Sequence, residues 1–249
     1  MLFRSPIKPY KNKSDYSYTL GAFPTFELIN NRPETVRELL VSPTFTDMEK
    51  LEKLCSSKNI VLKKDEKTIN RLSDKENVYV VGVFDKYNEF LKTGSNHLML
   101  VNPSNMGNVG TIIRTATAFD ITDIAIISPG VDVFNPKVVR GSMGAVFHTR
   151  IQYFESFEEY SEKYITGADS DRKSFSFMLD EKAEKLLPGS VPEVSKYTLI
   201  FGNEASGLPQ EYAKFTTPLM LPQSEMVDSL NLTIAAGIGM FLFKNSGRR

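Results

Sequence analysis

The stretch HLMLVNPSNMGNVGTIIRTATAFDITDIAIIS, residues 97–128, decides the fold class. It opens on an apolar run, 97–102, that reads as a buried strand, crosses the polar loop PSNMG, and continues as a helical stretch over 108–119. DIAIIS, 123–128, is a second short apolar run rich in branched side chains. Strand, helix and strand in such short compass make the building unit of a parallel sheet.

The alternation continues on both sides. Toward the C-terminus, strands are expected at 148–153, 174–179, 197–202 and 217–221, and helices at 136–146 and 157–164. Toward the N-terminus, 21–31 and 47–58 read as helices, and 60–63 and 78–84 as strands. The polar, glycine-containing segment 85–96 suits a boundary. The expected organisation is therefore an α/β protein with a smaller N-terminal α/β domain, 1–90, and a larger domain, 91–249.

Lysine plus arginine equals aspartate plus glutamate at 30 each, so no global positive field exists and any nucleic-acid contact must come from local patches. Arg140, Lys137 and the Arg4 to Lys13 tail, with Tyr10, Tyr16 and Tyr18 for stacking, are candidates; solvated charges and aromatics docked on the core are the plain alternatives. Cys55 has no partner for an internal disulfide, and His97 and His148 cannot close a zinc site without several carboxylates, which points to a reducing cytoplasm and metal-free chemistry. No signal-peptide core is visible near the N-terminus. The longest apolar stretch, 230–243, is short of the roughly 18 residues that a spanning helix needs.

Three loops beside apolar strands concentrate Gly, Asn, Ser and charge, and ligand sites of α/β folds lie where strand ends meet such loops. In the first, 102–120, Gly107 and Gly110 let the backbone pass closely, and Arg114 among Ile112, Ile113, Ala116 and Ala118 is placed near buried surface, where it would need an anion or polar partner. A salt-bridged surface arginine fits the same residues equally. The Rossmann pattern G-x-G-x-x-G is absent.

The second, LIFGNEASGLP at 199–209, sets Glu204 between Gly202 and Gly207 at a strand's carboxyl end; a turn closed by Asn203 and Ser206 is the bland reading. In the third, 219–243, Ser229 is well placed as an N-cap with Asn231 in the first helical turn. Ala235, Ala236, Gly237 and Gly239 then permit close helix packing, within the chain or against a second copy.

In order and spacing these loops resemble the three signature motifs of the SpoU, or TrmH-like, branch of the SPOUT RNA methyltransferases. Asn108, Gly110, Ile112, Ile113, Arg114, Thr115 and Ala116 match N-x-G-x-I-I-R-T-A; Gly202, Asn203, Glu204, Gly207 and Leu208 match G-N-E-x-x-G-L. Pro222, Ser229, Leu230 and Asn231 match P-x(6)-S-L-N, and PKVVRGSMGAVF, 136–147, is similar to the family segment between the first two motifs. Residues 21–84 loosely resemble the small RNA-binding domain that many such enzymes carry in front. Ala205, Asp120 and Leu221-Pro222-Gln223 depart from the commoner family residues without removing any that the chemistry needs.

The resemblance implies a C-terminal α/β domain with a deep trefoil knot, a homodimer, and transfer of a methyl group from S-adenosylmethionine to a ribose 2′-hydroxyl of structured RNA. Ribosomal RNA is the expected substrate; transfer RNA, or a non-catalytic RNA- or ribosome-binding role, is the alternative. It implies cofactor contacts at Gly202, Leu221 and Leu230, with Asn203 and Gly207 beside them. It implies catalytic roles for Arg114, Asn108, Glu204, Ser229 and Asn231. A guanidinium stays protonated, so Arg114 is expected to orient the hydroxyl and stabilise developing charge.

Overall fold

The computed structural model describes residues 7–73, 77–166 and 171–246. By contact density the chain divides into two units. The first comprises 1–87 with 132–148, and the second 88–131 with 149–249. The division falls inside the polar segment 85–96, and 132–148, which the sequence reading places in the C-terminal domain, clusters with the first unit.

The first unit begins with β1 (Tyr16–Tyr18), α1 (Ala22–Asn31), β2 (Val36–Val41), α2 (Met48–Ser57), β3 (Leu62–Lys64), α3 (Glu66–Leu72) and β4 (Val80–Asp85). Its sheet order is β1-β4-β2-β3, with only the β2–β3 pair parallel. β2 is absent from the sequence reading because VRELLV carries Arg37 and Glu38 and helix-favouring leucines. In the fold Arg37 pairs with Asp15 and Asp85, Glu38 pairs with Lys63, and Leu39, Leu40 and Val41 are buried. α3 is short; Asp65 caps it by accepting from Thr68 N at 2.9 Å, and Ile69 and Leu72 anchor it in the core.

Of the two readings open for Tyr10, Tyr16 and Tyr18, docking on the core is the one the structure favours. Tyr18 is buried, Tyr10 and Tyr16 pack on the same core cluster, and Tyr10 Oη donates to Asp132. Arg4 lies outside the described residues. Lys137 is exposed and Arg140 half-buried.

In the second unit, β5 (His97–Val101), α4 (Met106–Ala118) and β6 (Asp123–Ile127) form the expected strand, helix and strand. The chain then supplies α5 (Pro136–Gly141) to the first unit. The single helix expected over 136–146 stops at Gly141, because Met143 (φ 53°) and Gly144 (φ 79°) turn the backbone left-handed before a 3-10 turn at Ala145–His148. A Cβ on Gly144 would stand 2.7 Å from Glu27 Cβ, so the turn lies directly on α1.

The remainder is β7 (Arg150–Phe154), α6 (Phe157–Tyr164), β8 (Arg172–Phe177), β9 (Glu184–Lys185), β10 (Lys196–Phe201), β11 (Thr217–Met220) and α7 (Leu232–Asn245). The seven strands run in the order β7-β6-β5-β10-β8-β11-β9, and every pair is parallel. All of β5 and β6 is buried, as strands covered on both faces require, and this is why they read as unbroken apolar runs. No helix among the described residues is long and apolar enough to cross a membrane.

One sheet face buries a polar network. His97 Nε2 lies 2.8 Å from Lys92 O, which can only accept, so the ring proton sits on Nε2 and Nδ1 accepts from Tyr160 Oη at 2.7 Å. Tyr160 Oη then accepts from Thr198 Oγ1 at 2.6 Å. Burial, reinforced by the Arg172 charge, pushes the His97 pKa down to about 4, so the ring is neutral. Arg172 donates to the carbonyls of Thr93, Ser95 and Tyr197, and Asp123, paired with Arg150, accepts from Lys92 N at 2.8 Å. The polar segment before β5 is thus tied down by side chains from three strands.

Candidate functional site: a crevice formed by two loops

At the carboxyl end of β10 the chain makes a tight loop. Asn203 N donates to Gly207 O at 3.1 Å and Gly207 N returns the bond to Asn203 O at 2.9 Å. Gly207 takes φ +68°, and a Cβ on Gly202 would stand 2.2 Å from the Gly207 carbonyl carbon. Glycine at 202 is therefore a steric requirement, and the wall there is bare backbone. Asn203 does more than close the turn: its Oδ1 accepts from Ala205 N and Ser206 N, while its Nδ2 donates to Asn102 O at 2.7 Å.

Glu204 does not point to water. Its Oε2 accepts from Ser104 N (3.2 Å) and Ser104 Oγ (2.9 Å), and its Oε1 from Asn105 N (3.2 Å) and Asn108 Nδ2 (3.4 Å). Burial pushes this carboxyl up, but bonds from its own backbone N–H, Ser104 and Asn105 outweigh that and hold its pKa below the usual carboxylate value. The carboxylate locks the second loop to the N-terminus of α4, where the helix dipole also favours negative charge.

Ser104 and Asn105 were missed in the sequence. Asn105 is the true N-cap of α4, its Oδ1 accepting from Gly107 N and Asn108 N; the available signal was an asparagine immediately ahead of a periodic apolar run. Nothing local marks Ser104 as a partner of Glu204.

In the third loop the cap is Asn231, not Ser229. Asn231 Oδ1 accepts from Thr233 N at 2.9 Å and Thr233 Oγ1 at 2.7 Å, so α7 begins at Leu232, two residues later than a Ser229 cap allows. The loop before it is closed by Gln223, which accepts from Leu230 N and donates to Asp228 O, both at 3.2 Å. α7 packs on α4 and β10. Gly239 fits against Phe177 and Phe201, where a Cβ would come within 2.6 Å of the Phe177 ring, so at least part of the small-residue stripe serves packing within the chain.

The second and third loops line a crevice of about 410 Å³. Gly202, Asn203, Glu204, Gly207, Leu221, Ser229 and Leu230 all face it, and Phe177, Phe201 and Leu219 give it an apolar, aromatic wall. Phe177 and Phe201 are stacked with centroids 4.3 Å apart. Asn108, Arg114 and Asn231 are not lining residues; Asn108 joins through Glu204, and Asn231 through the start of α7. Arg114, in the third turn of α4, is exposed and makes no hydrogen bond or ion pair among the described residues. The expectation of a position against buried surface is thereby corrected: at this helical phase the buried faces are taken by Val109, Ile112, Ile113 and Ala116.

A protein of Synechocystis described as an uncharacterized tRNA/rRNA methyltransferase is 29% identical over 155 residues, 58% of this chain and 51% of its own length. The 23S rRNA (guanosine(2553)-2′-O)-methyltransferase RlmP of Bacillus subtilis is 28% identical over 151 residues, 60% of this chain and 58% of its own. The chain thus spans between half and three fifths of the length of these curated relatives. A crystal structure of an AdoMet-bound rRNA methyltransferase from Sinorhizobium meliloti superposes with a TM-score of 0.73 at 25% identity, covering 93% of this chain and 87% of that one. The model of the SpoU rRNA methylase family matches residues 95–241, more than half of the chain, and takes in the first two loops whole and the third as far as residue 241. With its parallel sheet and its three motif loops in place, this protein is a member of the SpoU rRNA methylase family.

Proposed function

We propose that the protein is an S-adenosylmethionine-dependent RNA methyltransferase acting on a ribose 2′-hydroxyl. One observation carries the reading: residues from two motif loops separated in sequence line a single crevice with an aromatic, aliphatic wall and polar loop groups, whose backbone wall at Gly202 no side chain can fill. An adenine with a short charged tail suits that lining, since apolar walls with a few convergent polar groups are how such ligands are held. Gly202, Leu221 and Leu230 would contact it, with Asn203 and Gly207 shaping the loop.

Bound there, the cofactor would supply an electrophilic methyl group, so the reaction needs alignment and loss of the hydroxyl proton rather than a covalent intermediate. Glu204 and Asn108 hold the first and second loops in register; Ser229 and Asn231 define the third. Arg114, exposed and without a hydrogen-bond or ion-pair partner among the described residues, would meet a ribose or phosphate oxygen, where it would orient the nucleophile and stabilise developing negative charge.

Residues 1–90 are the proposed RNA-binding domain, ribosomal RNA the proposed substrate, and the cytoplasm the proposed location. A deep trefoil knot in the C-terminal part belongs to the same reading, as does a homodimer. The dimer is supported by Ile234, Ile238 and Phe241 of α7, which are 53%, 39% and 53% exposed and recur every three to four residues along one face. Sedimentation at micromolar concentration giving a monomer would remove that part.

The reaction is tested by incubating the protein with methyl-tritiated S-adenosylmethionine and either ribosomal subunits or total transfer RNA, then hydrolysing the RNA with alkali. Label in alkali-resistant dinucleotides is expected, because a 2′-O-methyl group blocks cleavage of the adjacent phosphodiester. Label in mononucleotides would mean base methylation, and no label with either RNA would favour a binding role.

A further inference from the structure

The crevice has a charge pattern that the motifs do not explain. Of the described residues lining it, only Glu204 and Asp228 are ionisable at neutral pH, and both are acidic. Glu204 is committed: both carboxylate oxygens receive donors from Ser104, Asn105 and Asn108. Asp228 is not. Only its backbone carbonyl is used, accepting from Gln223 Nε2 at 3.2 Å, and its side chain has no hydrogen-bond or ion-pair partner among the described residues. It is exposed, at the rim, whereas the aromatic and aliphatic wall of Phe201, Leu219 and Leu221 is buried.

A ligand with one apolar and one ionic end has a single sensible orientation in such a site. Its apolar ring system goes to the buried wall and its charged tail to the wet rim. At the rim it meets, among the described residues, one uncommitted carboxylate and no lining cation, so the complementary group is an ammonium. The Gln223 bonds to Leu230 N and Asp228 O hold this loop in one shape, so Asp228 is presented in a fixed place.

Resting on the cofactor reading above, we propose that Asp228 binds the α-ammonium group of the cofactor's amino-acid tail and so selects adenosyl ligands that carry that tail. Glu225 lies three residues earlier on the same loop, is also exposed, and does not line the crevice, which makes it the matched control.

The test is calorimetric titration of wild type, Asp228→Asn and Glu225→Gln with S-adenosylhomocysteine, which has the ammonium, and with 5′-methylthioadenosine, which lacks the amino-acid tail. Asp228→Asn should weaken S-adenosylhomocysteine about fivefold, the size of a solvent-screened charged hydrogen bond, and leave methylthioadenosine unchanged. Glu225→Gln should alter neither. Wild-type affinity of Asp228→Asn for S-adenosylhomocysteine, or equal loss of both ligands, would overturn the proposal. If wild type binds neither ligand, the cofactor reading itself fails.

Discussion

Replacing Glu204 by glutamine keeps the volume and removes the charge, and the geometry shows what must break. Ser104 N and Oγ converge on one carboxylate oxygen, and Asn105 N and Asn108 Nδ2 on the other. An amide has one acceptor oxygen and one donor NH2, so whichever way it turns, a backbone N–H of Ser104 or Asn105 faces another donor. Each charge-assisted bond is worth about 1.5–3 kcal/mol, but this carboxylate is only partly buried, and screening reduces the sum to about 1.5 kcal/mol. For a chain of this size that lowers the melting temperature by about 3–6 °C.

The sign of the pH dependence is also set. The folded pKa of Glu204 lies below its ordinary value of 4.5, so its contribution is complete above 4.5 and is lost as pH falls through the lower folded value. Thermal unfolding of wild type and Glu204→Gln should therefore differ at pH 7 and converge below pH 4.5. Equal melting temperatures at pH 7, or a gap that stays constant into strong acid, would refute the account of Glu204 as the lock between the two loops.

Three further outcomes are expected. Asn231→Ala should cost about 1 kcal/mol through loss of the α7 cap, while Ser229→Ala should leave the melting temperature unchanged; the reverse result would restore Ser229 as the cap. His97, held neutral with a pKa of about 4 against an ordinary 6.5, should make the protein lose about 3 kcal/mol of stability between pH 6.5 and 4, because the unfolded state takes up the proton first. Denaturant titrations should show this slope in wild type and a flatter one in His97→Gln. Arg114→Ala should leave S-adenosylhomocysteine affinity and melting temperature intact and cut methyl transfer by orders of magnitude; substantial remaining activity would remove Arg114 from the mechanism.

Elements whose apolar pattern is local were legible: β5 and β6 as short apolar runs, β10 as a β-rich run, and α6 over 157–164. β2 was not, because its charged residues are neutralised by Asp15, Asp85 and Lys63, partners 22 or more residues away. At the site, the sequence singles out Gly202, Glu204 and Asn231 by motif, but it misassigns the α7 cap and leaves Glu204 facing either a ligand or water.

From the sequence alone follow the α/β class, the motif order and the family resemblance, since each depends on residue types at fixed spacing along the chain. Only the tertiary structure decided that Glu204 spends its charge on Ser104 and Asn105, about a hundred residues away, and that Arg114 stays exposed. It also decided that Asp228 is the crevice carboxylate without a side-chain partner among the described residues. The physical reason is common to all three: whether a charge is free or satisfied depends on donors that other loops bring to it, and folding, rather than spacing along the chain, determines which loops meet.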